Sequence, residues 1–191
     1  MKTTMNKHTL EYKLNQLSRK VGSNHKEVQH TRMEGSVTST GTVNETNTVN
    51  VTDTFINSTN FRDYVNGEAW TNRSLSLKVL RTGDCELLRC LIYVPKKAGQ
   101  TFSPNTNYEF VAHPDPNKFW VLADLYFDVN TTDTTIARQT KLVSLKRLKT
   151  VLSNAGSVIE KGEIKIAFFS NAKTSATEQC KYAIMLTYQD A

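Results

Sequence analysis

From about residue 25 to its C-terminus the chain is a succession of runs rich in Val, Leu, Ile, Thr and aromatic residues, each stopped by turn-forming residues. The stops are Asn66-Gly67, Gly83-Asp84, Pro95 with Gly99, Pro104-Asn105, Pro114 with Pro116, Asn154 to Gly156, and Lys161-Gly162. These residues tolerate positive φ or fix φ at a turn value, so they punctuate extended chain. Strands are expected at 26–33, 36–51, 72–81, 85–94, 107–112, 118–129, 140–152, 163–170 and 180–189. Many short strands with a single obvious helix imply an all-β sandwich or barrel. The Thr-, Ser- and Asn-rich stretch 36–60 fits strands with one polar face.

One run reads two ways. In KLVSLKRLKTVL (141–152), Leu142, Leu145, Leu148 and Leu152 form a helical stripe, whereas Val143, Leu145, Arg147, Lys149 and Val151 form one strand face. The all-β rhythm around it selects the strand.

A chain of 191 residues suits one domain, or one domain with a short extension. The run from Phe119 to Val129 is about half the length a membrane helix needs and carries Asp124 and Asp128, so no membrane span is expected. The N-terminal MKTTMNKHTL lacks the apolar core of a secretory signal. Cys85, Cys90 and Cys180 are odd in number and lack CxxC spacing, which predicts buried thiols rather than a disulfide framework or a zinc knuckle.

The front end differs from the rest. Leu10, Leu14, Leu17 and Val21 recur on one helical face, with Thr9 to cap the start and Gly22 to close the end. Three turns are marginal alone, so this helix needs a packing partner. Residues 1–35 hold seven Lys and Arg against three Glu, a net +4 of the chain's +6. A phosphate-rich partner and ordinary solubility both account for that bias.

Catalytic patterns are missing: no phosphate-cradling glycine loop, no HExxH and no GxSxG occurs. His8, His25, His30 and His113 are scattered, and a site built from His30 and His113 is weaker than solvated or turn histidines. Asp124 interrupts an apolar run and invites an acid-catalyst reading. Asp128 lies four residues on, well over 10 Å along a strand, beyond the roughly 5–9.5 Å of paired glycosidase carboxylates. Asp124 is expected to accept hydrogen bonds from a neighbouring strand, loop or Arg, and no enzyme is expected. Most aromatics sit among aliphatic residues, as in Phe119-Trp120 and Phe168-Phe169, so any nucleic-acid contact would be phosphate-directed.

Three segments carry a family likeness. In NKFWVLADLYFDV, Lys118 and Phe119 lead into Val121, Leu122 and Asp124; FRDYVNGEAWTNRSLSLKVL places an Arg and a Gly before a strand of alternating apolar and basic residues; HKEVQHT joins the arm to the strands. In this order the chain resembles the single-jelly-roll capsid proteins of very small icosahedral viruses. These are the satellite tobacco necrosis virus type and the circular Rep-encoding single-stranded DNA viruses.

The resemblance implies an eight-stranded jelly-roll sandwich over 26–191, a partly helical basic arm over 1–25, and a strand at 141–152. It implies a coat protein of the virion that self-assembles into a T=1 shell of about sixty subunits. Its arm would package a genome, single-stranded DNA in preference to RNA, through Lys2, Lys7, Lys13, Arg19, Lys20 and Lys26. The arm is dilute, with Arg19-Lys20 its only consecutive cations, which weakens a nuclear signal and leaves packaging to avidity. Arms meeting at a symmetry axis would bury Leu10, Leu14, Leu17 and Val21. Lys146, Arg147 and Lys149 would face the lumen or a neighbouring subunit. No cofactor is implied, although calcium lies between subunits in some relatives; Asp53, Asp63, Asp84 and Asp133 sit in expected loops, and none is selected as a ligand. A lectin-like or protein-binding jelly roll without a genome is the alternative, and an enzyme on a β-sandwich the third reading.

Overall fold

A computed structural model describes residues 28–38, 45–57, 69–81, 87–105, 108, 110–128, 138–153, 158–170 and 178–190. The expected arm, 1–25 with its helix, lies outside the described residues. So does Cys85, while Cys90 and Cys180 are buried.

The described residues form nine strands: β1 (Val28–Thr38), β2 (Glu45–Asn50), β3 (Ala69–Arg81), β4 (Leu87–Pro95), β5 (Phe119–Asp128), β6 (Arg138–Leu152), β7 (Ile159–Lys161), β8 (Lys165–Ser170) and β9 (Glu178–Asp190), with a short helix α1 (Val51–Ile56) after β2. They form two antiparallel sheets, in the orders β1-β9-β3-β6-β7 and β2-β8-β4-β5. The pairs 1 with 9, 2 with 8, 3 with 6 and 4 with 5 alternate between the sheets. That is one long antiparallel double strand rolled upon itself, which makes the fold a jelly roll, with three-residue β7 added at one edge.

The two sheets have different sequence textures because their outer faces have different fates. In β9, Cys180, Ile184, Leu186 and Tyr188 point into the core while Lys181 and Met185 face solvent, the period-2 pattern of a sheet with one wet face. In β4 and β8 nearly every residue is buried. Their inner faces join the central core through Leu88, Cys90, Ile92, Ile166 and Phe168. Their outer faces are sealed by the connection between β4 and β5: Phe102, Phe110, Ala112 and Phe119 pack over Leu91, Tyr93, Ala167 and Phe169. Tyr93 and Phe119 meet edge to face at 5.4 Å, and Phe102 and Phe169 at 6.0 Å.

Four expectations are corrected. The described residues of 107–112 do not form the strand expected there. The described residues there form a turn, with Ala112 N–H donating to Tyr108 O at 2.7 Å, and Phe110 and Ala112 are spent on the second core. The single strand expected at 36–51 is split, and Val51–Ile56 is helical because Asn50 caps it: its side chain accepts from Asp53 N–H at 3.0 Å. Helix α1 plugs the sandwich, with Phe55 edge-on to Trp70 at 5.5 Å and against Tyr188 at 4.8 Å. The apolar run Phe119–Val129 reads as an interior strand, yet β5 is the edge of its sheet, and Trp120, Val121 and Tyr126 are exposed along it.

The fourth correction concerns β6. The strand is present, but its faces are not those of simple alternation. Val143 and Leu145 are buried, and so are Thr150 and Leu152. The register jumps between them: Ser74 pairs with Ser144 and Asn72 with Leu148, so one residue of β3 faces three of β6. Lys146 (φ 48°) and Arg147 (φ 60°) are the extra pair, both left-handed. For residues with a Cβ that conformation costs roughly 1–2 kcal/mol each, and here it returns Leu148 to the core side. Asn72 anchors the jump: its amide donates to Leu148 O at 3.1 Å and Thr150 Oγ1 at 2.7 Å, and it accepts from Trp70 Nε1 at 2.9 Å.

Candidate functional site

The arm residues expected to meet nucleic acid, Lys2, Lys7, Lys13, Arg19, Lys20 and Lys26, lie outside the described residues, as do Leu10, Leu14, Leu17 and Val21. Of the loop carboxylates, Asp53 falls in helix α1, and Asp63, Asp84 and Asp133 are outside the described residues. Among the described residues no group of three His, Cys, Asp or Glu is placed to hold a metal ion. No helix there is long and apolar enough to cross a membrane. His30 and His113 are not brought together: His30 bonds Thr187 on the first sheet, and His113 lies in the segment covering the second.

Asp124 does what its sequence context predicts. Both its oxygens accept from Arg89, Oδ1 from Nε at 2.8 Å and Oδ2 from Nη2 at 2.7 Å. Arg89 is fully buried, donates also to Ala112 O at 2.9 Å, and lies over the rings of Tyr126 and Phe169. Burial alone would lower the guanidinium pKa. The bonds and charge of Asp124 outweigh it and hold the group above its ordinary value. The ion pair therefore staples the covering segment to β4 and β5. A second staple uses Glu163, which accepts from Asn50 Nδ2 at 2.5 Å and Gly99 N–H at 3.0 Å, while Lys165 donates to Gln100 O at 3.0 Å. Both clusters tie the covering segment to the sheet beneath it.

Two phenols are held above the ordinary tyrosine range by burial. Tyr93 is one, although it accepts from Phe102 N–H at 3.0 Å; Tyr182 is the other, with Cys180 adding to the effect. The folded protein keeps these protons more tightly than the unfolded chain, whose phenols titrate near pH 10. The stabilisation is complete below about pH 10 and is lost as pH rises through the raised folded values. Urea midpoints should fall above about pH 10, and less steeply in Tyr182→Phe; identical profiles would contradict this.

Among the described residues, none covers the outer face of the β1-β9-β3-β6-β7 sheet. Its outward positions are mainly small or basic. One row across the strands is Arg32–Met185–Ser76–Leu142, and the next is Glu34–Ala183–Lys78–Thr140. A shallow depression of about 550 Å³ lies over this region, lined by Arg32, Glu34, Ser36, Lys78 and Lys181 among others. Arg32 pairs with Glu34. At the far end, Val28 pairs with Gln189, Gln189 with Thr71 and Thr71 with Lys149. Arg73 donates to Gln189 in this region. The Lys146-Arg147 bulge adjoins the same row, and Lys146, Arg147 and Lys149 are all exposed. The place where the basic N-terminal residues join β1 and the basic end of β6 thus share one edge of one face. They are three strand spacings apart, about 14 Å. In the sequence Val28 and Lys149 are 121 residues apart, and only the register unites them.

No protein-family model and no curated protein sequence matches the chain. Among solved structures it is similar to Desmodium yellow mottle tymovirus at 13% identity, covering 86% of this chain and 87% of that chain with a TM-score of 0.46. It is similar also to the empty head of turnip yellow mosaic virus (12%, 86% and 81%, 0.45) and to turnip yellow mosaic virus (12%, 86% and 80%, 0.44). Likenesses of this strength leave the functional argument to the residues above.

Proposed function

We propose that this protein is a viral coat subunit, a jelly roll that associates with copies of itself into a small closed shell, T=1 with about sixty subunits, around a single-stranded nucleic-acid genome. The observation that supports this most is the contrast between its two outer faces. One is sealed by the protein's own 96–118 segment, and the other is open, basic and continuous with the point where a basic arm joins. The arm, through Lys2, Lys7, Lys13, Arg19, Lys20 and Lys26, neutralises phosphate inside the shell, and many copies together replace a dense cluster. The open edge of β5, with Trp120 and Tyr126 exposed beside it, is a surface for a neighbouring subunit to cover.

Size-exclusion chromatography with absorbance at two wavelengths tests this. Sixty copies of 21.6 kDa elute as a particle of about 1.3 MDa carrying nucleic acid. A clean monomer overturns the reading. Parallel DNase and RNase digestion of the extracted contents identifies the genome, with DNA expected. Deleting residues 1–26 lowers nucleic-acid content and its salt sensitivity while the sandwich stays folded. The rival lectin-like reading draws on Trp120, 55% exposed with Lys96 5.7 Å over its ring. It requires a monomer or small oligomer that binds glycans through that aromatic.

A further inference from the structure

We propose that the left-handed bulge Lys146-Arg147, with Lys149 beside it, binds the phosphodiester backbone of single-stranded nucleic acid as a contact of the sandwich itself, separate from the arm; this rests on the packaging role proposed above. Three cations fall within four consecutive residues, and all three are exposed. Among the described residues no carboxylate forms an ion pair with any of them.

The bulge places them unusually. Two consecutive residues at φ 48° and 60° turn out of the strand and back, the conformation of a tight hairpin turn, which Asn-Gly adopts at least cost. Here the positions hold the two longest cationic side chains instead. They stand beyond the sheet at the end of the row where the arm joins, so a strand of nucleic acid held by the arm passes within reach of them.

The occupant follows from what is missing around the bulge. A second copy of this chain would have to offer matching carboxylates. The exposed ones among the described residues are dispersed: Asp53 on α1, Asp115 in the covering segment and Glu160 on β7, while Glu34 and Asp124 are already paired. A polyanion needs no such match. Base recognition is also disfavoured, because the exposed aromatics among the described residues, Tyr108, Trp120 and Tyr126, belong to the covering segment and β5. The contact is to phosphate and indifferent to sequence.

The test is fluorescence anisotropy of the full chain with labelled oligothymidylate and oligoadenylate of about 20 nucleotides over a salt series. Lys146→Gln/Arg147→Gln should weaken binding of both oligonucleotides alike. It should reduce the slope of log affinity against log salt by about 1.4, the value for two phosphate contacts to a single strand. Lys96→Gln, beside Trp120, serves as the charge control and should leave the slope unchanged. Lys146→Asn/Arg147→Gly should bind as weakly as the Gln pair yet melt roughly 2–6 °C higher, because it relieves the left-handed strain. A slope unchanged in the Gln pair, or a fall matched by Lys96→Gln, overturns the proposal. The outcome separates from the fate of the shell: particles that form while the slope stays constant remove the bulge contact alone. A lost slope in a chain that stays monomeric removes the shell and keeps the contact.

Discussion

Replacing Asp124 by Ala should destabilise the protein by about 2–3 kcal/mol and lower its Tm by roughly 5–10 °C. Removing one member of a buried ion pair leaves the other charge stranded, and Arg89 is wholly buried. The full penalty for such a loss is about 3–5 kcal/mol, reduced here because the Asp124 side chain keeps 28% of its exposure and water can partly replace it. The damage is expected to spread along a known path. Arg89 also donates to Ala112 O, so a guanidinium without Asp124 loosens the segment that seals the second sheet. Limited proteolysis should therefore cut between 96 and 118 faster in Asp124→Ala than in the parent. The double variant Arg89→Met/Asp124→Leu removes both charges and should recover most of the lost stability, since apolar pairs of similar volume replace buried ion pairs at little cost. An Asp124→Ala melt within about 2 °C of the parent would show that the pair contributes nothing net.

This outcome also bears on how the molecule is read from its residues. Asp124 was legible as a hydrogen-bond acceptor because a lone carboxylate in an apolar run must find donors. That its partner is Arg89, 35 residues earlier, depends on β4 and β5 being neighbours. The contrast between alternating β9 and the near-continuous apolar runs of β4 and β8 was likewise visible. Continuous burial demands a cover on both faces, and the residues 96–118 supply it. The expected strand at 107–112 failed on this account: Phe110 and Ala112 are apolar because they cap a sheet rather than extend one. Helix α1 was hidden in a Thr-rich stretch, and its signal was Asn50 with Asp53 three residues on, followed by buried Val51 and Phe55 one turn apart.

The β6 run shows why periodicity gave two answers there. Leu145, Leu148 and Leu152 do share one side, as a helical count suggests, yet the chain is extended. The left-handed pair Lys146-Arg147 breaks the extended backbone and shifts the strand's phase midway, so neither a period of two nor one of 3.6 describes it. Leu142, which completes the helical stripe, is 74% exposed. Nothing local announces such a bulge when its residues are Lys and Arg instead of Asn and Gly. The basic face was equally illegible, because Val28, Gln189, Thr71 and Lys149 become neighbours only through three separate strand pairings. The arm's charge could be counted, but not the surface it joins.

The same corner of the fold yields the other large effect. Gly162 and Gly99 both have positive φ, 73° and 80°, so a side chain at either is conformationally strained by a similar amount. Their surroundings differ. A Cβ at Gly99 meets nothing within 4 Å, whereas one at Gly162 overlaps Lys149 O and lies 2.9 Å from Thr150 Cα. Those are backbone atoms of β6 held by its ladder with β3, and Thr150 Oγ1 also donates to Gly162 O at 2.8 Å. They cannot yield without breaking that register. Gly99→Ala should therefore cost about 1–2 kcal/mol, the conformational penalty alone. Gly162→Ala should add the steric term and reach about 3 kcal/mol or more, with β7 and the end of β6 opening first. Thermal melts of the two variants give the difference directly, and hydrogen exchange at Leu152 and Ile159 locates it, because those residues pair β6 to β7. Equal losses in the two variants would mean that β6 gives way freely, and that its bulge is a soft feature of the sheet instead of a held one.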